Sequence, residues 1–249
     1  VRLWNSETLE LIGEFVGHQG TVTAAEFHPN EEIIASVSVD RFLHVWDVKP
    51  PHKVVMSFEH SSRLDDVAWH PKGNVLALAG DDGDIVLVPR DSGKPVTVLE
   101  GHQDEVNSVV WNQDGSLLLS SSRDRSVMIW QPFSKKLPTR FSGHSSSVRR
   151  AIFSPDEKYI ASDSSDHSLR IWMATSTQAI LSMTGHEHTV YDLDWRSSQE
   201  PLLTVSRDGT LRRWNMPQEG PTSEALEKWL HRLTHSCLTA YERQQYLAE

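Results

Sequence analysis

The chain has 249 residues, of which 34 are acidic and 24 basic, for a formal net charge of −10. That balance opposes a general nucleic-acid or anionic-membrane binder, because phosphate contacts need a surplus of clustered Lys and Arg. The single cysteine, Cys237, excludes an internal disulfide framework and points to a reducing, cytoplasmic setting, and no apolar run approaches the roughly 18 residues that a membrane-crossing helix needs.

The chain opens in mid-repeat at Val1-Arg-Leu-Trp-Asn, with neither Met nor a signal peptide, which predicts upstream domains of the same protein before Val1. From there one spacing governs the sequence. Trp4, Trp46, Val88, Trp130, Trp172 and Trp214 lie 42 residues apart. In phase with them run His18, His60, His102, His144 and His186, each preceded by Gly except at Glu59. Two more columns keep the same period: Asp40, Asp82, Asp124, Asp166 and Asp208, and the aromatics Phe27, Trp69, Trp111, Phe153 and Trp195. A period this strict means one structural unit, copied and stacked.

Each copy reads as a four-stranded antiparallel meander. The first strand ends in a turn: Phe27-His-Pro-Asn, then Trp69-His-Pro-Lys-Gly, Trp111-Asn-Gln-Asp-Gly and Phe153-Ser-Pro-Asp. In the third copy the strands are Val106 to Trp111, Leu117 to Ser120, Val127 to Trp130 and Leu137 to Phe141. No copy holds a helix-length amphipathic window. Such sheets, apolar on both faces, are stable only when neighbours cover them, and radial stacking does this while leaving short edges. The predicted fold of residues 1–216 is therefore an all-β propeller. It holds roughly 21 strands where a seven-bladed ring needs about 28, which predicts an open arc or a strained closure. After Pro217 the pattern stops. Over 217–249 a helix is predicted to start at Pro221-Thr-Ser, with Leu226, Trp229, Leu230 and Leu233 in one apolar stripe that docks on the propeller, followed by a second short helix from Thr239 with Glu242 as its capping partner.

Gly-His early in the copy, Ser-x-Asp in the middle and Trp-Asp or Trp-Asn late make the chain resemble the WD40-repeat family over residues 1 to about 216. The tail from His235 to Leu247 resembles short tails that close WD40 regions in multidomain bacterial signalling proteins. The WD40 resemblance implies a role for four in-phase quartets: His18, Ser38, Asp40 and Trp46; His102, Ser122, Asp124 and Trp130; His144, Ser164, Asp166 and Trp172; His186, Ser206, Asp208 and Trp214. Each contains the residue types of a hydrolase triad, but catalysis needs one site and these recur in four copies. In the family such groups form a buried hydrogen-bonded chain that ties the strands of a blade together. The second copy departs from the pattern, with Gly80 for Ser and Val88, followed by Pro89, for Trp.

The resemblance also implies a binding face at one end of the sheets, formed by three positions per copy. They are Thr21, Arg63, Glu105, Ser147 and Thr189; Thr23, Asp65, Asn107, Arg149 and Tyr191; and Val39, Asp81, Arg123, Ser165 and Arg207. Asp65, Asp81 and Glu105 cluster early, whereas Arg123, Arg149, Arg207 and Tyr191 fall later, and Arg and Tyr are the types enriched at binding hot spots. His186-Glu187-His188 and the Asp81 to Asp84 loop lack the further ligands that a zinc or calcium site needs, so no metal or cofactor is implied. The function that follows is a non-catalytic scaffold or sensor module, the C-terminal part of a larger intracellular signalling protein, binding a protein or peptide that is acidic or phosphorylated. The alternatives are an enzyme with its site in the propeller channel, which would need non-repeating acid and base groups, and a nucleic-acid reader confined to the arginines.

Overall fold

The computed structural model describes residues 1–92, 94–95, 97–197 and 201–215; the helices predicted over 217–249 lie outside the described residues. The described chain is all-β. β1 (Arg2–Trp4) and β2 (Leu11–Glu14) form a two-stranded sheet. The first complete copy contributes β3 (Val22–Phe27), β4 (Ile33–Ser38), β5 (Phe42–Asp47) and β6 (Val54–Glu59). The second contributes β7 (Leu64–Trp69), β8 (Val75–Gly80), β9 (Ile85–Pro89) and β10 (Thr97–Leu99), and the third β11 (Val106–Trp111), β12 (Leu118–Ser122), β13 (Ser126–Trp130) and β14 (Thr139–Ser142). The fourth holds β15 (Val148–Phe153), β16 (Tyr159–Ser164), β17 (Leu169–Met173) and β18 (Ala179–Met183), and the fifth β19 (Val190–Asp194), β20 (Leu202–Ser206) and β21 (Leu211–Trp214). Every sheet is a meander in chain order. The four-stranded units expected from the period are present, with β11 to β14 close to the strands read from the third copy. The chain divides into two compact units after Arg140.

Within the first unit the middle strands are sealed on both faces. β4, β8 and β12 are buried along their whole length. Ala35, Val37, Leu43 and Val45 pack with Leu64, Val67, Trp69, Leu76 and Leu78, and the other face of the second sheet, Ala77, Ala79, Ile85 and Leu87, packs with Val106, Val109, Trp111 and Met128. Each fully buried aliphatic side chain contributes about 1.5–3 kcal/mol of transfer free energy, so the stacking of sheets rather than any one sheet carries the stability. Carboxylates add a directional link. Glu26 accepts the Trp69 amide at 2.6 Å, and Asp66 accepts the Val109 amide at 3.0 Å, each from the first strand of the following sheet. The second unit is built alike, with Ala161, Leu169, Ile171, Leu181 and Met183 packed on Leu193, Trp195, Leu202 and Trp214.

The turn between the second and third strands has one form in all five copies. The residue after the register Asp has positive φ: Arg41 at 75°, Gly83 at 89°, Arg125 at 70°, His167 at 69° and Gly209 at 80°. A non-glycine side chain there is strained, and the Asp carboxylate offsets this by accepting the amide two residues on, as from Phe42 at 2.9 Å, Ser126 at 2.9 Å and Ser168 at 3.0 Å. Phe27 alone in the aromatic column is largely open, 58% exposed, while Trp69 and Trp111 are buried against the preceding sheet, where the Trp111 indole donates to the Ala68 carbonyl.

Candidate functional site

The quartets form hydrogen-bonded chains, with one member different from the expected one. His18 Nδ1 meets Asp40 at 3.0 Å, and His18 Nε2 meets the hydroxyl of Ser36 at 2.8 Å, which also accepts the Trp46 indole N–H at 2.8 Å. The third copy repeats this with His102, Asp124, Ser120 and Trp130, the fourth with His144, Asp166, Ser162 and Trp172, and the fifth with His186, Asp208, Thr204 and Trp214. The bridging hydroxyl is thus two residues ahead of the predicted Ser38, Ser122, Ser164 and Ser206. Those serines instead close the turn, accepting the amide of the register Asp, and Ser122, Ser164 and Ser206 also donate to a carbonyl of the first loop of the copy. Two residues along a strand keep a side chain on the same face, so depth in the sheet decides which hydroxyl reaches both rings.

Because the carboxylate can only accept, Nδ1 of each of these histidines carries the proton and Nε2 accepts from the hydroxyl, which leaves every group satisfied with a neutral imidazole. Burial holds His144 below the ordinary imidazole range against the opposing pull of Asp166. Burial pushes Asp40 up, yet the amides of Phe42 and Gln19 and the His18 ring outweigh it and bring it to about 2; Asp124 and Asp166 lie well below the usual carboxylate range for the same kind of reason. The bridging hydroxyls Ser36, Ser120, Ser162 and Thr204 are all buried, and each joins a His ring to a Trp ring of its own copy.

The departures of the second copy fall at positions that touch one another in the intact copies. In the intact copies the Gly before His leaves room for the Trp ring: a Cβ on Gly17 would lie 2.7 Å from Trp46, one on Gly101 2.9 Å from Trp130 and one on Gly143 3.2 Å from Trp172. Where Val88 replaces Trp, Glu59 replaces Gly, and Leu78 stands where the bridging hydroxyl would be. His60 turns accordingly: its Nδ1 accepts the Ser62 amide at 3.1 Å, and its Nε2 stands 3.8 Å from Asp82.

Three positions per copy meet at one end of each sheet. The residue before the register Asp donates its amide to the carbonyl three residues after the register His: Val39 to Thr21, Asp81 to Arg63, Arg123 to Glu105, Ser165 to Ser147 and Arg207 to Thr189, at 2.9–3.1 Å. The middle positions, Thr23, Asp65, Asn107, Arg149 and Tyr191, have a feature that the sequence does not reveal. In every copy the register of the first strand shifts at that residue, between Val22 and Ala24, Leu64 and Asp66, Val106 and Ser108, Val148 and Arg150, and Val190 and Asp192. Each is the extra residue of a β-bulge, and bulges re-aim a side chain out of the ladder.

In the first unit these positions neutralise one another. The Arg63 guanidinium lies 3.5 Å from Asp65 and 3.4 Å from Asp81 and bonds Glu105, while Arg123 approaches Glu105 at 3.4 Å. Carboxylate atoms of Asp65, Asp81 and Glu105 lie within 4.8 Å of one another, and the cation among them is Arg63. Asp65 is pushed up to about 6 by burial, against the pull of Arg63 and with Glu105 and Asp81 adding to the rise. A raised carboxylate holds its proton more tightly folded than unfolded, so its contribution to stability falls as pH rises from about 4 to about 6. Asp65→Asn is therefore expected to raise stability at pH 7 by about 1 kcal/mol, allowing for solvent at the rim of the cluster, and to be near neutral at pH 4. Urea unfolding at the two pH values checks this; a loss at pH 7 would mean that attraction to Arg63 outweighs burial.

In the second unit the Arg149 guanidinium packs over the Tyr191 ring, 6.0 Å from its centroid, and Tyr191 is 47% exposed. Arg207 is also exposed. The neighbouring Arg150 bonds Asp192 of the following sheet at 2.7 Å. Behind this pair lies Asp163, fully buried, its Oδ1 accepting the Arg150 amide at 2.6 Å; burial pushes its carboxyl well above the usual range, with that amide opposing. Asp163 belongs to no repeated column, and the sequence reading passed over it.

A family model described as "WD domain, G-beta repeat" matches residues 9–47, 52–87, 93–131, 135–173 and 177–215, well over half of the chain. The chain is similar to the periodic tryptophan protein 2 homolog of Schizosaccharomyces pombe, 27% identical over 99 residues, 40% of this chain and 12% of that protein. It is also similar to the probable cytosolic iron-sulfur protein assembly protein Ciao1 of Culex quinquefasciatus, 32% identical over 90 residues, 34% of this chain and 27% of that one. Pre-mRNA-processing factor 19 of Mus musculus is 28% identical over 82 residues, 33% of this chain and 16% of that protein. The matched stretches thus span about a quarter or less of these relatives.

Proposed function

The chain belongs to the WD40 repeat family, and from that premise we propose that it is a non-catalytic docking scaffold whose second unit takes an acidic or phosphorylated peptide segment on Arg149, Tyr191 and Arg207. The observation that carries this reading is the bulge. The same strand position is the extra residue of a bulge in all five copies, and in the second unit it holds Arg149 and Tyr191 packed together. Stacking pre-orders the guanidinium, which costs less side-chain entropy on binding, and its planar fork matches the paired oxygens of a carboxylate or phosphate. In the first unit this end of the sheets carries an ion-pair cluster instead, Arg63 with three carboxylates and Arg123 with Glu105. The relatives' names point to different settings, iron–sulfur protein assembly and pre-mRNA processing, which fits a repeated scaffold with a variable face. The single cysteine supports a cytoplasmic setting.

The test is an array of acidic and phosphorylated peptides probed with the full chain, followed by titration of the best peptide at low and moderate salt. Affinity should weaken with salt. Arg149→Ala and Tyr191→Ala should each lose about 1 kcal/mol or more of binding while changing folding stability by less than about 0.5 kcal/mol. Asp65→Ala removes an opposite charge and should leave affinity unchanged or slightly raised. Equal binding by all three variants would place the interface elsewhere.

A further inference from the structure

Two histidines outside the repeated quartets are built into the joints between the first three complete sheets. His28 and His70 sit in the first hairpin turns of their copies and are buried, 7% and 5% exposed. Each reaches into the corresponding turn of the next copy. His28 Nε2 lies 3.0 Å from the Gly73 carbonyl and its ring meets Trp69 edge-on at 4.7 Å; His70 Nε2 lies 3.2 Å from the Gly115 carbonyl and its ring meets Trp111 edge-on at 4.8 Å. Phe133, stacked on Trp111 at 5.9 Å, covers the second ring.

The receiving glycines are shaped for this contact. Gly73 has φ of 72° and Gly115 of 76°, and a Cβ on either would fall about on the imidazole, 2.0 Å from His28 Nε2 and 2.1 Å from His70 Nε2. The bonding also assigns the tautomer. A carbonyl only accepts, so Nε2 carries the proton; Nδ1 accepts the Asn30 amide in the first ring and the Lys72 amide in the second, both at 3.1 Å. This is opposite to the quartet histidines, whose Nδ1 is the donor to Asp. A second proton on His70 would set Nδ1–H against the Lys72 N–H, two donors facing each other with no acceptor between them.

We propose that His70 is a proton-sensitive clasp of its own hairpin turn, at the joint with the next copy: an unprotonated Nδ1 holds the Lys72 amide while Nε2–H holds the Gly115 carbonyl, and a second proton, at Nδ1, expels the Lys72 amide and opens the turn. Burial holds the His70 imidazole below its ordinary range, the Gly115 carbonyl and Asp114 pulling upward and Lys72 adding to the lowering. The charged groups facing the rings are Glu31, itself paired with Arg90, at His28, and Lys72 and Asp114 at His70. A lowered imidazole leaves its stabilisation fully present above the unfolded value, and the contribution declines as pH drops below it, because the opened state then binds the proton that the closed state refuses. In the third copy Asn112 stands at this position and its side chain turns into its own hairpin, accepting the Leu117 amide at 2.8 Å.

The test uses the full chain and amide hydrogen exchange followed from pH 7.5 to pH 5, with rates corrected to protection factors, alongside imidazole nitrogen spectra. The spectra should show protonated Nε2 and bare Nδ1 for both rings at pH 7.5. Protection at the Lys72 amide should then fall as pH drops below the ordinary imidazole value, by up to about tenfold per pH unit until the lowered value of His70 is passed, while amides of β8 keep theirs. In His70→Asn the Lys72 protection should no longer vary over this range. Unchanged Lys72 protection in the wild type, or the same fall in the variant, would overturn the proposal; if the variant does not fold, the wild-type series decides alone.

Discussion

Asp166→Ala is expected to destabilise the protein by about 3–5 kcal/mol, since it strands several buried donors at once. The carboxylate accepts His144 Nδ1 at 2.9 Å, the Ser145 amide at 2.9 Å, the Ser168 amide at 3.0 Å and the Ser168 hydroxyl at 2.6 Å. Removing it also frees the His144 ring to rotate away from Ser162, which leaves the Trp172 indole on a hydroxyl without its second partner. Burial raises the Asp166 carboxyl, but those hydrogen bonds outweigh it and hold it well below the ordinary range. Its contribution is therefore fully present above the unfolded carboxylate value and is lost as pH falls through the lowered one, so the gap between wild type and variant should stay constant from pH 8 to about pH 5 and narrow in acid. Ser162→Ala and Ser164→Ala refine the measurement. The first removes the bridge between both rings and should cost more than the second, which removes a turn-closing bond; the reverse order in urea unfolding would reinstate Ser164 in the network.

The period made the repeated unit and its strands legible, because a column of Trp, His or Asp in phase is visible without any structure. The same method missed what is not in phase or not distinct in type. Ser36 and Ser38 lie on one face of one strand, and the true bridging column, Ser36, Ser120, Ser162 and Thr204, changes residue in its last member. The Ser-x-Asp pattern drew attention to the wrong hydroxyl. His28 and His70 recur in two copies only and so read as turn residues beside proline, although their partners are in the next copy. The bulges leave no sequence mark, since one extra residue in a strand preserves the 42-residue period as long as every copy has it. Charge grouping at this end of the sheets was legible, but not that Arg63 lies among the carboxylates of Asp65, Asp81 and Glu105.

Val88→Trp should cost about 3 kcal/mol or more, although it restores the residue that the other copies carry at this register. Val88 is fully buried on β9, in the cluster with Leu76, Leu78 and Val86. An indole there needs two concessions that copy two lacks. The first is an absent Cβ on the residue before the register His: at Gly17 such an atom would lie 2.7 Å from the Trp46 ring, and Glu59 has one. The second is a hydroxyl to accept the indole N–H, as Ser36 does for Trp46 at 2.8 Å, where copy two has Leu78. An indole introduced by Val88→Trp alone would thus be overpacked and would bury an unpaired donor. Adding Glu59→Gly and Leu78→Ser should recover most of the loss, even though Glu59→Gly gives up an exposed ion pair with Arg41 worth little and Leu78→Ser alone is itself costly in an apolar core. The signature is therefore a coupling of about 2 kcal/mol or more between the three changes, read from a mutant cycle in urea. Additive costs would show that Glu59, Leu78 and Val88 drifted independently; strong coupling means that losing any one of Gly, hydroxyl and indole removes the reason to keep the other two, which is how a single copy can abandon its network while its neighbours hold theirs.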